Sequence, residues 1–327
     1  MNPSNTVLQK SLFSLSWPIF IDILLHLVTL LINTYMISHI SEQMVAATAA
    51  SNQFFDTTVT IFSFIGIGCS VVVAQYLGAG NREATRKAIH LSISFNFLLG
   101  FICFTIIFFF GRSLLVLMNT PEEILEMSSS YFHIIGFCLI FEALAVILAS
   151  CLRVYGHSKV PMYVSFIMNI VTVLGNILVL YGFFDLPQLG LEGVAWSTVV
   201  GRLIGVSLLF YLLFYGIKVK LDFSLFFKFK KSIIQQILKI GLPSAGENLS
   251  WSAQMLVMLA FVGLMGEQSL AAHNIYIQLS YMLMLFGISI SIGNEIMVGH
   301  LVGAKQFNAA YARTFKSLRT GMIVTLG

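Results

Sequence analysis

Five carboxylates, Asp22, Asp56, Glu142, Glu247 and Glu295, interrupt stretches of sequence that are otherwise apolar. An ionised acid near the centre of a bilayer costs about 2.5–3.5 kcal/mol on insertion scales, so such a residue faces a cavity or a partner and is a functional candidate by default. Neighbouring residues show how these acids are aimed. Asp22, His26, Thr29 and Asn33 follow one another at i, i+4, i+7 and i+11, which is one face of a helix. Asn52, Asp56, Thr60 and Ser63 make a second stripe, Asn169, Thr172 and Asn176 a third, and Glu247, Ser250 and Gln254 a fourth. Four polar stripes in an apolar bundle imply a shared polar cavity. For Thr29, Thr60, Ser63 and Ser250 the competing reading is interhelical hydrogen bonding, worth about 0.6 kcal/mol per contact. A carboxyl in such a cavity can bind a proton from one side and release it to the other. An organic cation favours its ionised form, so proton and cation compete for one group, which is the chemistry of antiport. The driving force suffices: one charge across 100 mV is worth about 2.3 kcal/mol, roughly a fifty-fold gradient at 1.4 kcal/mol per decade.

Other intramembrane polar groups have structural and functional readings side by side. His26, one turn from Asp22, is a relay or a hydrogen-bond partner. Arg202 needs an acid at its own depth, Glu142 or Asp56, and is read as half of a structural ion pair. Tyr35, Phe54, Phe55, Trp251, Tyr276 and Tyr281 can hold planar cations through their ring faces. With 29 Phe and 11 Tyr in the chain, each is equally an ordinary core or lipid-facing side chain.

The elements that position these residues follow from composition. Of 327 residues, 57% are hydrophobic and only 10% charged, against roughly a quarter charged in soluble domains; the mean hydropathy is +0.89. Apolar segments long enough to cross a bilayer, about 20 residues each, fall near 12–38, 45–76, 88–111, 128–151, 161–183, 193–217, 236–264 and 270–301, and a ninth begins near Ala309. The expected fold class is therefore an all-α polytopic membrane protein. Soluble enzymes and nucleic-acid binders are excluded, and membrane lipid is the surrounding partner. Cys69, Cys103, Cys138 and Cys151 have no metal or disulfide spacing and read as small apolar fillers.

The connections alternate in charge. Gly78–Lys87, Arg153–Lys159, Lys218–Lys231 and Lys305–Arg319 are basic, and of the 18 Lys and Arg only Arg112 falls on the opposite side and Arg202 deep within a span. The connections around Glu42, Glu122, Asp185 and Glu267 are not basic. Cytoplasmic loops carry the basic excess, which places the N-terminus and the basic connections in the cytoplasm of a cell membrane.

An internal repeat appears at an offset of 225. Pro18 pairs with Pro243, Asp22 with Glu247, Glu42-Gln43 with Glu267-Gln268, Ala46-Ala47 with Ala271-Ala272, Gln53 with Gln278, Gly68 with Gly293, and Gly78-Ala79 with Gly303-Ala304. An even number of spans separates the copies, so both enter the membrane in the same direction. That is the parallel-repeat arrangement of some transporters, with the substrate path between the halves. Across its axis Asp22 and Glu247 are expected to face each other, and the matched Gln53 and Gln278 join them as binding candidates.

At these residues the chain resembles the multidrug and toxic compound extrusion (MATE) family. The resemblance rests on Trp17-Pro18, on Ala74-Gln75-Tyr76-Leu77-Gly78-Ala79-Gly80-Asn81, and on Gly182 through Gly193-Val194-Ala195-Trp196-Ser197-Thr198. Ile240-Gly241-Leu242-Pro243 and Val302-Gly303-Ala304-Lys305 repeat the pattern. It implies a twelve-helix exporter of two six-helix lobes that moves organic, often cationic, compounds outward in exchange for H⁺ or Na⁺, with no enzymatic activity and no cofactor. About eight and a half of those helices are present. The implied divisions are a six-helix lobe at 1–217, a basic linker at 218–234 and an incomplete second lobe at 235–327. Because the sequence stops within the ninth helix, the 327-residue form is expected to be inactive unless another chain completes it. Where the family often carries an acid late in the first helix, this chain reads Ile32-Asn33-Thr34; Asn176 matches the fifth-helix position, and Thr172 stands where an Asn is frequent. The ion- and substrate-binding candidates are thus Asp22, Asn33, Gln53, Asp56, Asn176, Glu247 and Gln278, with H⁺ and Na⁺ both open as the coupling ion and no residue set assigned to a metal.

No Gly-x-x-x-x-Gly-Lys-Ser/Thr run is present, so ATP is not expected to power the chain, and the histidines show no HExxH spacing. Gly78-Ala79-Gly80 reads as a tight cytoplasmic turn. The nearest rival is a flippase for an anionic lipid-linked precursor, which calls for basic cavity residues. A second is a receptor or assembly subunit in which the acids only pair helices.

Overall fold

The computed structural model describes residues 3–182, 189–228 and 230–326. The connection around Asp185 lies outside them. A short helix α1 (Pro3–Leu8) precedes α2 (Leu12–Ser38), α3 (Glu42–Gly78), α4 (Arg82–Leu117), α5 (Glu122–Val154), α6 (Lys159–Tyr181) and α7 (Gly190–Tyr211). A π-helical turn, Leu212–Gly216, extends α7; then follow α8 (Phe223–Phe227), α9 (Lys231–Leu264), α10 (Glu267–Gly303) and α11 (Phe307–Leu326). Among the described residues all regular structure is helical. Each expected span is found as one helix. Among the described residues seven helices are long and apolar enough to cross a membrane; α9 is not among them, since Lys239, Glu247, Asn248, Ser250 and Gln254 dilute its apolar content. At 37 residues each, α3 and α10 are about 55 Å long and outreach a hydrocarbon core of roughly 30 Å.

Local signals set the helix ends. Ser11 caps α2 by accepting from the Ser14 amide at 3.1 Å, and Asn81 caps α4 through the Ala84 amide at 3.0 Å. Between α3 and α4 the turn is closed by Gly80 at φ 71°, a conformation cheap only without a Cβ. In the first lobe α5 is central, packed against α3, α4 and α7, while α6 pairs with α7 and α2. Phe62, Phe132, Leu139, Leu148 and Leu152 are fully buried there. Asn96 of α4 donates to the Ala143 carbonyl at 2.7 Å. The thiols of Cys69 and Cys151 lie 4.0 Å apart as free, buried cysteines, a proximity that spacing in sequence does not reveal.

The linker has structure of its own. Asp222 caps α8 and ties it to α4, its carboxylate 3.7 Å from Arg86 and its amide donating to His90 Nε2 at 3.2 Å. The last residues of the expected linker already belong to α9.

The repeat is visible as geometry. Helix α10 begins and ends 225 residues after α3, and Pro18 and Pro243 lie at equivalent points inside α2 and α9. The contacts between copies are reciprocal: Gly78 lies on the His300 carbonyl, and Gly303 lies on the Gln75 carbonyl, the same pair with the copies exchanged. Likewise Gly68 approaches Ile237 while Gly293 approaches Leu12. Two contacts join a residue to its own equivalent: Ala74 with Gly299, and the Ser70 hydroxyl with the Glu295 carboxylate. These fix a pseudo-two-fold axis between α3 and α10, one helical turn of which is marked by 70/295 and 74/299. All of these approaches lie at the ends joined to the basic connections.

Candidate functional site

Toward the other end of α3 its exposed face carries Gln53, Asp56 and Thr60. Further along that face comes Phe64, whose carbonyl oxygen lies 2.5 Å from where a Cβ of Gly241 would be. The stripe therefore continues toward the part of α3 that meets α9 of the second copy. Asn52, one turn before Asp56, points into the first lobe, where its Oδ1 accepts from the Tyr131 hydroxyl at 3.1 Å.

The polar face of α2 is turned into its own lobe. Asp22 forms an ion pair with Arg153, their side chains 11% and 18% exposed. Asn33 accepts from the Asn176 amide at 2.9 Å, and Asn169 donates to the Leu25 carbonyl at 3.4 Å. One turn beyond Asp22, His26 Nε2 lies 3.5 Å from Arg202. The acid partner of Arg202 is Glu142, 2.9 Å away, with both side chains nearly buried. Asp56 interacts electrostatically with both members of that pair.

Several expectations are revised. Asp22 and Glu247 are not brought together: Asp22 is committed to Arg153, and Glu247 is exposed on α9. The repeat explains this, because equivalent residues are aimed alike relative to their own lobes; an acid turned inward in one copy does not cross the axis. The hydroxyls of Thr29, Thr60, Ser63 and Ser250 each donate to the carbonyl four residues back in their own helix rather than across to a neighbouring one. Gln53 and Gln278 are both exposed. Among the aromatic candidates Tyr35, Trp251, Tyr276 and Tyr281 are exposed, whereas Phe54 packs edge-on against Phe132 at 5.3 Å. Arg153 was missed as a site residue because it lies in the last turn of α5, where basic residues ordinarily mark only topology. A cavity of 410 Å³ beside α10 and α11, bounded by Leu8, Met297, Leu301, Arg313 and Lys316, lies among none of the candidates. Among the described residues no three His, Cys, Asp or Glu side chains converge as metal ligands.

Duplicated helical units that meet through equivalent residues define the class: a polytopic membrane protein built on a repeat, the architecture of some secondary transporters. The MatE family model matches residues 18–178 and again 243–327, starting at the two equivalent prolines. The chain belongs to the MatE family. The transporter YisQ of Bacillus subtilis, itself uncharacterized, is 35% identical over 309 residues, covering 94% of this chain and 68% of that protein. The probable multidrug resistance proteins YoeA of B. subtilis and NorM of Thermotoga maritima are 27% and 24% identical, over 81% and 90% of this chain. The chain spans 58–68% of the length of these relatives. Among solved structures, a MATE protein in a bent conformation superposes with a TM-score of 0.89 at 18% identity, covering 98% of this chain and 72% of that one. A transporter of the wider superfamily from Pyrococcus furiosus, described as having a binding pocket of reversed polarity, gives 0.85 at 18% identity, covering 99% and 70%.

Proposed function

We propose that the chain acts in a secondary active exporter that moves organic cations out of the cell in exchange for H⁺ or Na⁺. The N-terminus and the basic connections face the cytoplasm, and residues 1–217 and 235–327 belong to its two lobes. The observation that carries this reading is the exposed stripe of Gln53 and Asp56 on α3, the helix through which two copies of one module meet. Multidrug resistance proteins among the relatives support the substrate class. Asp22, Asn33, Gln53, Asp56, Asn176, Glu247 and Gln278 are the proposed ion- and substrate-binding residues, with Asn33 and Asn176 acting as one hydrogen-bonded pair.

The test is ethidium uptake into everted membrane vesicles carrying either this chain or a form extended to twelve helices, under an imposed H⁺ gradient and then a Na⁺ gradient. Uptake by the extended form, driven by one gradient and lost in Glu247→Gln, is expected, and it names the coupling ion. Correctly inserted extended protein that moves no ethidium under either gradient overturns the reading. The flippase alternative has one observation in its favour, the guanidinium groups of Arg153 and Arg202 within the first lobe. Each is met by a carboxylate, which leaves neither free for an anionic cargo. Gradient-independent movement of an anionic lipid would nonetheless decide for it.

A further inference from the structure

We propose that the short helix α1 is a bolt across the junction of the two copies: it holds shut the end joined to the basic connections, and it must leave its seat on α10 before that end opens, whatever cargo and ion the protein moves. Among the described residues α1 has no counterpart in the repeat. Residues 9–11, which break the chain between α1 and α2, correspond at the offset of 225 to 234–236, and these lie inside the unbroken helix α9. The second copy thus begins without such a helix, while in the first it packs on both α3 and α10, across the junction.

Contacts to both copies hold α1 in place. Toward the second copy, the Ser4 hydroxyl meets His300 Nδ1 of α10 at 3.2 Å. Toward the first lobe, Lys10 Nζ donates to the carbonyl of Gly156, just past the end of α5, at 2.5 Å. Between these two bonds Val7 is fully buried, in a cluster that also holds Leu77 of α3, Val154 of α5 and Met297 of α10. Its seat requires a glycine opposite: a Cβ on Gly156, which sits at φ 82°, would lie 2.9 Å from the Val7 side chain. His300 is the residue on which these contacts converge. It is fully buried, its Nε2 donates to the Val154 carbonyl at 3.0 Å, and Nδ1 of the neutral ring then accepts from Ser4. The His300 carbonyl lies against Gly78 of α3, so one residue of the second copy is tied to α1, α3 and α5 together. Parting the copies carries α10 away from α5, and α1 cannot follow both. Three residues join it to α2, and one of them is Lys10, already bonded to the first lobe. Helix α1 therefore stays with the first lobe, and the Ser4–His300 bond and the burial of Val7 against α10 are what must be given up.

The experiment measures distances by pulsed electron–electron double resonance on the purified chain in lipid nanodiscs. Nitroxides are placed at Glu83→Cys on α4 and Asn308→Cys on α11, exposed positions 225 residues apart on either side of the junction. Cys103→Ala is included, since the other three native cysteines are fully buried. A second pair, Glu83→Cys with Lys159→Cys, reports on the first lobe alone. Without further change, one short distance across the junction is expected to predominate. Ser4→Ala with Lys10→Gln should raise the ratio of long to short distances about tenfold, as the loss of two hydrogen bonds implies. Removal of residues 1–10 should raise it further, because the buried Val7 leaves with them. Distances within the first lobe should stay the same in both variants, which a general loosening of the fold would not allow. The proposal is overturned if the Ser4/Lys10 variant keeps the original distribution across the junction, if the first-lobe pair spreads to the same extent, or if the long distance already predominates with α1 intact.

Discussion

Asp22 and Arg153 show how far a single residue could be read before its partner was known. Spacing placed Asp22 on a polar helical face, correctly, but it could not say that an arginine from the end of α5 reaches that face. Ion pairs between helices distant in sequence leave no local signature, so a titratable candidate became a matched charge. The energetic consequence is asymmetric. Arg153→Met leaves an ionised Asp22 largely buried and should destabilise the protein by about 3–5 kcal/mol, whereas the double variant with Asp22→Asn should recover most of that loss. Thermal unfolding of the three variants in detergent checks this. Equal destabilisation by the single and double changes would mean that Arg153 contributes through packing rather than charge. The Asn33–Asn176 pair was legible in part: both residues stood out as polar within apolar helices, while their mutual hydrogen bond depended on how α2 and α6 pack.

Among the elements, the long helices were legible because apolar runs and charge breaks mark them directly. The helix α8 was not, since five residues of a basic connection carry no periodicity to detect. What holds α8 is Asp222. The Ser224 hydroxyl, then the Ser224 amide, Arg86 and His90, keep this carboxyl below its ordinary value of 3.8. A depressed acid contributes stability that is present above the ordinary value and lost as the pH falls through the folded one. Anchoring of the linker to α4 should therefore persist at neutral pH and fail on strong acidification. Asp222→Ala should release it at neutral pH, read as faster tryptic cleavage after Lys228 and Lys230. Unchanged cleavage in that variant would assign the anchoring to Phe226, which packs its ring against His90 at 4.7 Å.

At the scale of the whole molecule the repeat was the most legible feature, because the Gly, Pro and Glu-Gln matches could be counted without knowing any contact. What the sequence withheld was the job of the matched glycines: they let α3 and α10 meet backbone to backbone about the pseudo-axis. A Cβ on Gly78 would strike the His300 carbonyl, and one on Gly303 the Gln75 carbonyl. Backbone cannot swing aside as a side chain can, so only a parting of the two helices relieves either clash. Symmetry then makes a prediction stronger than destabilisation. Gly78→Ala and Gly303→Ala should cost similar amounts, on the order of 1–3 kcal/mol as for other overpacked contacts. The double variant should cost clearly less than their sum, because the first substitution has already moved the helices that the second would have to move. A double-mutant cycle by thermal unfolding measures the difference. Coupling would identify the end joined to the basic connections as one mechanical contact between the two copies, a contact that any rocking of one copy against the other must open. Strict additivity would mean that each glycine relaxes locally and that the lobes do not move as units.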